Sequence, residues 1–236
     1  MPVSSLRRQL EFLDRRGFTA ITLADYCLAL KGELELPKRP VILTFDDGYQ
    51  DTYDLAFPLL REFGVRAVVF VLADPAVRYN AWDDGLDVPR APLMSIGNVC
   101  AMHAAGFEIG AHGMTHADLP SITEREAWRE IAHAKTALEG MLGAPVNSFA
   151  YPYGRVTERV RRLVVDAGYE TACGVYTGPS RCGDDPFDIL RVTIPGSITT
   201  AGFELKASLP VERLHRLVRG ARAALGQVEA SAGAGA

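Results

Sequence analysis

Apolar residues along the chain follow two alternating patterns. Short runs of β-branched and aromatic residues predict buried strands, and longer segments in which apolar residues return every three or four positions predict amphipathic helices. The predicted strands are residues 19–23, 41–45, 67–71, 107–111, 148–151, 169–175 and 190–194. The predicted helices are residues 5–16, 24–31, 53–63 with a bend near Pro58, 96–105, 123–142 and 158–167. Strands that alternate with helices form parallel βαβ units, so an α/β fold is expected.

Two segments interrupt this alternation. Residues 74–92 are rich in Asp, Pro, Gly and aromatic residues and have no period, which predicts a long loop that covers a site. Residues 230–236 contain only Ala, Ser and Gly and are predicted to be a disordered tail. No repeat or linker divides the remainder, so residues 1–229 are assigned to a single domain.

The composition excludes several classes of protein. The 236 residues are 48% hydrophobic, as in ordinary globular proteins, and their formal net charge of -4 argues against a nucleic-acid-binding surface. No apolar run reaches the roughly 18–20 residues of a membrane span, and no signal peptide is recognisable, so a cytoplasmic protein is the default expectation. The four cysteines are scattered without a Cys-x-x-Cys pair, which argues against a thiolate zinc site.

Two adjacent carboxylates, Asp46 and Asp47, stand where the predicted strand 41–45 ends. Neighbouring side chains of a strand point in opposite directions, but both can reach one site where the chain turns. Like charges this close favour a cation beside one carboxylate and raise the proton affinity of the other, which suits a metal ligand next to a general base. The alternative is an Asp-Gly turn whose carboxylates are solvated.

Two histidines, His112 and His116, follow the predicted strand 107–111. Two imidazoles at this spacing can bind one metal ion from the same side of a turn, although a pair of surface histidines would have the same sequence. The other histidines fall in helical stretches and are interpreted as helix-packing or surface residues; these are His103, His133 and His215.

Together, one aspartate and the two histidines form a donor set that leaves positions open for water and substrate, as catalytic metal sites do. Zinc is the expected ion, and Co2+, Ni2+, Mn2+ or Fe2+ would suit the same ligands. A third candidate element is the Pro-Tyr-Gly turn after residues 148–151, which could aim a backbone N–H at the site. Because these polar residues follow several different strands, a (β/α) barrel is favoured over a doubly wound sheet.

The order of these motifs resembles the polysaccharide deacetylase family, which is also called the NodB homology domain or carbohydrate esterase family four. The matching segments are Thr-Phe-Asp-Asp-Gly at 44–48, Gly-Phe-Glu-Ile-Gly-Ala-His at 106–112 with the second histidine at 116, and Phe-Ala-Tyr-Pro-Tyr-Gly at 149–154. The similarity extends over roughly residues 6–205, and it includes Asn80, Trp82 and Asp83 in the long loop as well as Leu190-Arg191.

The resemblance implies a distorted (β/α) barrel of about seven strands, of which an N-terminal strand would be missing if the natural start lies further upstream. It implies that Asp46 is the general base and that Asp47, His112 and His116 bind a divalent metal ion, with zinc as the first candidate. It places the contact to the oxyanion at the backbone N–H of Tyr153. The implied reaction removes the N-acetyl group of an amino sugar in a glycan and releases acetate.

Three positions depart from the family pattern. Gly113 stands where Ser or Thr is usual, Ala150 stands where many members have an arginine that orients the base, and residues 189–194 lack the histidine that serves many members as the general acid. The missing acid leaves open a catalytically silent sugar-binding protein of the same fold. A metal amidohydrolase acting on a non-sugar amide is a second alternative, because the same fold and ligands could serve it. Aromatic residues in the long loop, Tyr79 and Trp82, could stack on a sugar ring and favour a glycan.

Overall fold

Two parallel sheets form the framework of the computed structural model, which describes residues 1–175 and 185–207. The strands are β1 (Thr19–Ala20), β2 (Pro40–Val41), β3 (Thr44–Phe45), β4 (Val68–Val71), β5 (Glu108–Ala111), β6 (Ser148–Ala150), β7 (Thr171–Val175) and β8 (Ile189–Arg191). Strand β1 pairs with β2, whereas β3 to β8 form one sheet in chain order, with every neighbouring pair parallel.

The six-stranded sheet curls into a half-barrel, and a side chain spans its open seam. From the last strand, Arg191 donates a hydrogen bond to the hydroxyl of Thr44 on the first strand, at 3.1 Å. Fully buried side chains of the strands fill the interior, among them Val68, Phe70, Ala150 and Cys173. The predicted distorted (β/α) barrel is therefore confirmed, with six strands in the main sheet of the described residues.

Helices pack on the outer face of the sheet, where they bury the larger apolar core. They are α1 (Val3–Arg15), α2 (Leu23–Lys31), α3 (Phe57–Glu62), α4 (Ile96–Ala104), α5 (Glu124–Trp128), α6 (Ala134–Leu142), α7 (Glu158–Asp166) and α8 (Thr200–Ala207). A π-helical turn, Thr52–Ala56, precedes α3, so the regular α-helix begins only at Phe57, next to Pro58. A second π-helical turn, Arg129–His133, joins α5 to α6, so the predicted helix 123–142 is continuous with one wide turn.

Residues 41–45, predicted as one strand, are instead divided between the two sheets. Val41 pairs with Ala20 of β1, whereas Thr44 pairs with Val68 of β4. The apolar run indicates that this segment is buried, but it carries no information about the pairing partner of each half. The predicted strand 190–194 is likewise displaced, because pairing with β7 covers Ile189–Arg191.

The predicted strand 19–23 is wrong at its C-terminal end. The Thr22 hydroxyl accepts the N–H of Asp25, and the Asp25 carboxylate accepts the N–H of Thr22. This reciprocal capping box satisfies two free N–H groups and begins α2 at Leu23. The strand therefore ends at Ala20, although the N–H of Ile21 still donates to the carbonyl of Val41 at 2.9 Å.

Some expectations from the sequence fall outside the described residues, namely the tail at 230–236 and His215. Within residues 1–175 and 185–207, no helix has both the length and the apolar character that a membrane crossing requires.

Candidate metal centre

Polar segments that follow β3 and β5 meet at one edge of the half-barrel. Asp47 Oδ1 lies 3.2 Å from Nε2 of His112 and 3.4 Å from Nε2 of His116. The ligand atoms of the three residues all lie within 4.8 Å of one another, and both histidines are buried. The carboxyl ends of parallel strands share one edge of a sheet, and this is why residues far apart in the sequence converge here.

Left-handed backbone conformations shape this centre. Among the described residues, the non-glycine residues with positive φ are Asp47 at 70°, His116 at 66° and Tyr153 at 58°. Residues with a Cβ atom adopt this conformation rarely, and such residues cluster at functional sites. Each of these residues follows a strand of the main sheet, so two of the three predicted ligands and the predicted oxyanion residue have a left-handed backbone.

His112 is oriented by a neighbouring strand. Its Nδ1 lies 2.8 Å from the carbonyl oxygen of Ala150 in β6. Because a carbonyl oxygen only accepts, Nδ1 carries the hydrogen, and in the neutral ring the Nε2 lone pair faces the carboxylate of Asp47. A lone pair facing a carboxylate oxygen is stable only with a proton or a cation between them, which fits a bound metal ion.

His116 is held by aromatic rings. Its buried Nδ1 has no hydrogen-bond partner in the part of the chain that the structure describes. Trp82 stacks on the imidazole with ring centroids 4.4 Å apart, and Tyr153 meets the imidazole edge-on with centroids 4.5 Å apart. Trp82 belongs to residues 74–92, so the predicted long loop lies against this candidate centre.

Asn80 fixes the loop that carries Trp82. Its buried side-chain carbonyl accepts the N–H of Ala91 at 2.6 Å, which ties the two sides of the loop together. Tyr79, which was expected to offer its ring to a sugar, instead packs against Arg90, whose guanidinium carbon lies 4.6 Å from the ring centroid. Trp82 also has one face occupied, since that face lies on His116.

Asp46 pairs with Arg191 at the end of β8. Nη1 lies 2.6 Å from Oδ1 and Nη2 lies 2.7 Å from Oδ2, so the ion pair is bidentate and fixes the plane of the carboxylate. Arg191 thus makes the contact that the family resemblance assigns to an arginine at position 150. Sequence reasoning missed this role, although one charged residue among the apolar side chains of Ile189–Val192 was a signal.

The electrostatics of the cluster favour a cation. Burial opposes ionisation of Asp47, but hydrogen bonds to His112 and His116 hold its pKa below the usual range. Burial opposes protonation of His112, yet its hydrogen bond to Asp47 and the charges of Asp46 and Asp47 raise its pKa. The Tyr49 hydroxyl also forms a hydrogen bond with Asp47. Burial and the negative charge of Asp47 raise the pKa of Tyr49. Two imidazole nitrogens and an ionised carboxylate fit a divalent metal ion.

A comparison with protein families decides the assignment. The family model described as polysaccharide deacetylase matches residues 33–172, which is more than half of the chain. This chain belongs to the polysaccharide deacetylase family. The match includes all five residues that the sequence singled out, which are Asp46, Asp47, His112, His116 and Tyr153.

Alignments with individual relatives cover different fractions of this polysaccharide deacetylase family member. The chain is 23% identical over 205 residues to YxkH of Bacillus subtilis (strain 168). The aligned segment covers 86% of this chain and 68% of that protein. It is 29% identical over 153 residues to the poly-beta-1,6-N-acetyl-D-glucosamine N-deacetylase of Escherichia coli (strain K12). Here the aligned segment covers 58% of this chain and 22% of that protein. The chain therefore matches only about a fifth of the length of the E. coli protein.

Solved structures support the fold of this polysaccharide deacetylase family member. The deacetylase PplD of Streptococcus pyogenes, in complex with acetate, superposes with a TM-score of 0.75 at 20% identity, covering 88% of this chain and 87% of that one. IcaB from Ammonifex degensii superposes with a TM-score of 0.72 at 24% identity, covering 88% of both chains.

Proposed function

We propose that this chain hydrolyses the N-acetyl group of an amino sugar in a glycan and releases acetate, in a reaction that depends on a divalent metal ion. The proposal rests on the convergence of Asp47, His112 and His116 beside the carboxylate of Asp46. Three protein ligands leave coordination positions for water and substrate. A second carboxylate outside the ligand set is available to move protons.

The roles follow from these positions. Asp47, His112 and His116 would hold the metal, with zinc as the first candidate and Co2+, Ni2+, Mn2+ or Fe2+ as alternatives. When bound, the metal supplies Lewis-acid polarisation of the acetamide carbonyl and makes a water molecule more acidic. Asp46 accepts the proton of the attacking water. The backbone N–H of Tyr153 donates to the carbonyl oxygen as negative charge develops there.

The departing amine needs a proton, and Asp46 is the group in this centre that has just received one. Among the described residues, the histidines outside the ligand set are His103 on α4 and His133 in the π-helical turn, both in the helical layer. We therefore assign both proton transfers to Asp46. The bidentate pair with Arg191 holds this carboxylate in one orientation for both transfers.

A glycan substrate is supported by the relatives and by one exposed ring. The matched E. coli protein is named for poly-beta-1,6-N-acetyl-D-glucosamine, and a relative from Cryptococcus neoformans is named chitin deacetylase 2, with 25% identity over 136 residues. Beside His116, Tyr153 is 51% exposed. An exposed aromatic ring next to the centre can pack against the apolar face of a sugar.

The test uses the full chain after a chelator has removed bound metal. Portions are reloaded separately with Zn2+, Co2+, Ni2+, Mn2+ or Fe2+ and supplied with β-1,4- and β-1,6-linked N-acetylglucosamine oligomers. We expect no acetate from the stripped protein, because its side chains supply no Lewis acid in place of the metal ion. After reloading with at least one ion, we expect equal amounts of acetate and free amine.

Two outcomes would contradict the proposal. If the reloaded protein binds metal and oligomer but releases no acetate, the chain is a silent sugar-binding protein. If acetate is released from small non-sugar acetamides and from no N-acetylated sugar, it is an amidohydrolase of another substrate class. Undiminished turnover by the stripped protein would remove metal dependence from the proposal.

A related prediction concerns the orientation of the base. Arg191→Lys keeps the positive charge beside Asp46 but loses the two parallel hydrogen bonds. We expect kcat to fall by about 10- to 100-fold, since small misplacements of a catalytic group cost on this order, while metal affinity stays unchanged. Steady-state kinetics and metal titration measure the two quantities.

Arg7→Lys is the matched control, because Arg7 forms a bidentate pair with Glu62 on the exposed surface, with bonds of 2.5 and 2.8 Å. That variant should retain full kcat. An unchanged kcat in Arg191→Lys would show that the pair does not orient the base, and an equal loss in both variants would indicate a general loss of stability.

A further inference from the structure

The segment between the two predicted histidine ligands has an unusual backbone. Gly113 has φ of 83° and His116 has φ of 66°, so left-handed conformations occur at both ends of a four-residue turn. The His116 Nδ1 has no polar partner in the described residues, so its ring is held by this backbone, by Trp82 and Tyr153, and by the contact of Nε2 with Asp47. Anything that fixes the turn therefore fixes a metal ligand.

The carboxylate of Glu130 makes three hydrogen bonds to this turn. Oε2 accepts the backbone N–H of Met114 and that of Thr115, both at 2.9 Å, and Oε1 accepts the Thr115 hydroxyl at 2.9 Å. Hydrogen bonds to an ionised acceptor are stronger than those between neutral groups. Glu130 thus connects the turn to the helical layer from a distance of 15 or 16 positions along the chain.

The helix that carries Glu130 is itself well fixed. Glu130 lies in the π-helical turn Arg129–His133, next to Ile131, which is fully buried in the core. A capping box of Thr123 and Glu126 begins α5 about two turns earlier. π-helical turns insert an extra residue and rotate the side chains around them, and they are frequent at functional sites. Here the turn presents a carboxylate to the segment between the histidines.

Gly113 leaves room for this contact. A Cβ atom built at position 113 would lie 3.1 Å from Oε2 of Glu130, closer than ordinary van der Waals contact. The hydroxyl that the family pattern usually places at position 113 is absent, and Glu130 supplies polar contacts to the same turn from another element. Glycine at position 113 therefore leaves the space into which the Glu130 carboxylate fits.

We propose that Glu130 is a positioning residue that holds the turn between His112 and His116 in the conformation that binds metal, so that removing its carboxylate weakens metal affinity. The inference rests on the metal site of the proposed function. It concerns binding of the ion alone, so it is measured without substrate and without turnover.

The experiment compares zinc affinity in the full-length parent and two variants, Glu130→Ala and Glu130→Gln, by competition with a chromophoric chelator. Substitution of groups that orient metal ligands typically costs about 10- to 100-fold in affinity. We expect a loss of that size for Glu130→Ala. A smaller loss is expected for Glu130→Gln, because its amide oxygen can still accept the two backbone N–H groups but its NH2 cannot accept the Thr115 hydroxyl.

Glu124→Gln is the matched control, since Glu124 is exposed in the first turn of α5 on the same helical segment. Its zinc affinity should equal that of the parent. Circular dichroism of each metal-free variant establishes that the compared proteins are folded, and if Glu130→Ala does not fold, Glu130→Gln decides the question.

Parental affinity in the folded Glu130 variants would overturn the inference, even if their metal-free thermal stability falls. A parent that binds zinc tightly but releases no acetate contradicts the proposed function and leaves the positioning role intact. A parent that binds none of the five ions contradicts both.

Discussion

Asp46→Asn is expected to lower kcat for deacetylation by about 10²- to 10⁴-fold, the usual contribution of a positioned general base. The amide retains the size of the carboxylate but cannot accept a proton from water, and in our assignment it also cannot pass one to the amine. Metal affinity should stay close to that of the parent, because Asp46 contacts Arg191 and lies outside the cluster of ligand atoms. Steady-state acetate release and zinc titration provide the two measurements.

Asp14→Asn is a suitable control for this variant, because Asp14 is exposed on α1 and belongs to no part of the centre. It should leave kcat unchanged. If Asp46→Asn retained more than a tenth of the parental kcat, the base would have to be another group. If it lost zinc binding together with turnover, Asp46 would be a ligand rather than a base.

His112→Gln is expected to weaken zinc affinity by more than the roughly 10- to 100-fold typical of changes outside the ligand set. The substitution removes a proposed ligand nitrogen, together with the hydrogen bond from Nδ1 to the carbonyl of Ala150 that orients the ring. Acetate release should disappear at micromolar zinc. Much higher zinc concentrations should restore at most part of it. Zinc titration by calorimetry checks the affinity.

His133→Gln is the matched control, because His133 is exposed in the helical layer and lies outside the cluster. Parental affinity is expected there. A His112→Gln variant that binds zinc as tightly as the parent would exclude His112 from the ligand set. The cluster of three donors would then need another explanation, such as a network of protonated imidazoles around Asp47.

The sequence was most informative about residues at the ends of strands. An apolar run followed by Asp46-Asp47, and another followed by His112, predicted that these side chains share one edge of the fold, and the structure brings them together. This inference succeeded because parallel strands place their carboxyl ends on the same side whatever their exact pairing. It did not require the order of the strands to be known.

Contacts made across the fold could not be predicted in the same way. Arg191 reaches Asp46 over 145 positions and Glu130 reaches Thr115 from a helix, and neither pairing follows from a local pattern. The division of residues 41–45 between two sheets also depends on partners rather than on hydrophobicity. Trp82 was placed in a loop over a site, but the stacking on His116 appears only in three dimensions.

The left-handed conformations of Asp47, His116 and Tyr153 have a thermodynamic consequence. Each such residue costs about 1–3 kcal/mol, against a total folding free energy of about 5–15 kcal/mol for a typical domain. Glycine would remove this cost, but it would also remove the side chains that meet at the centre. A metal ion that binds only the folded chain offsets the cost by mass action. The supply of metal would therefore influence how long the protein survives proteolysis and heat, in addition to how fast it turns over.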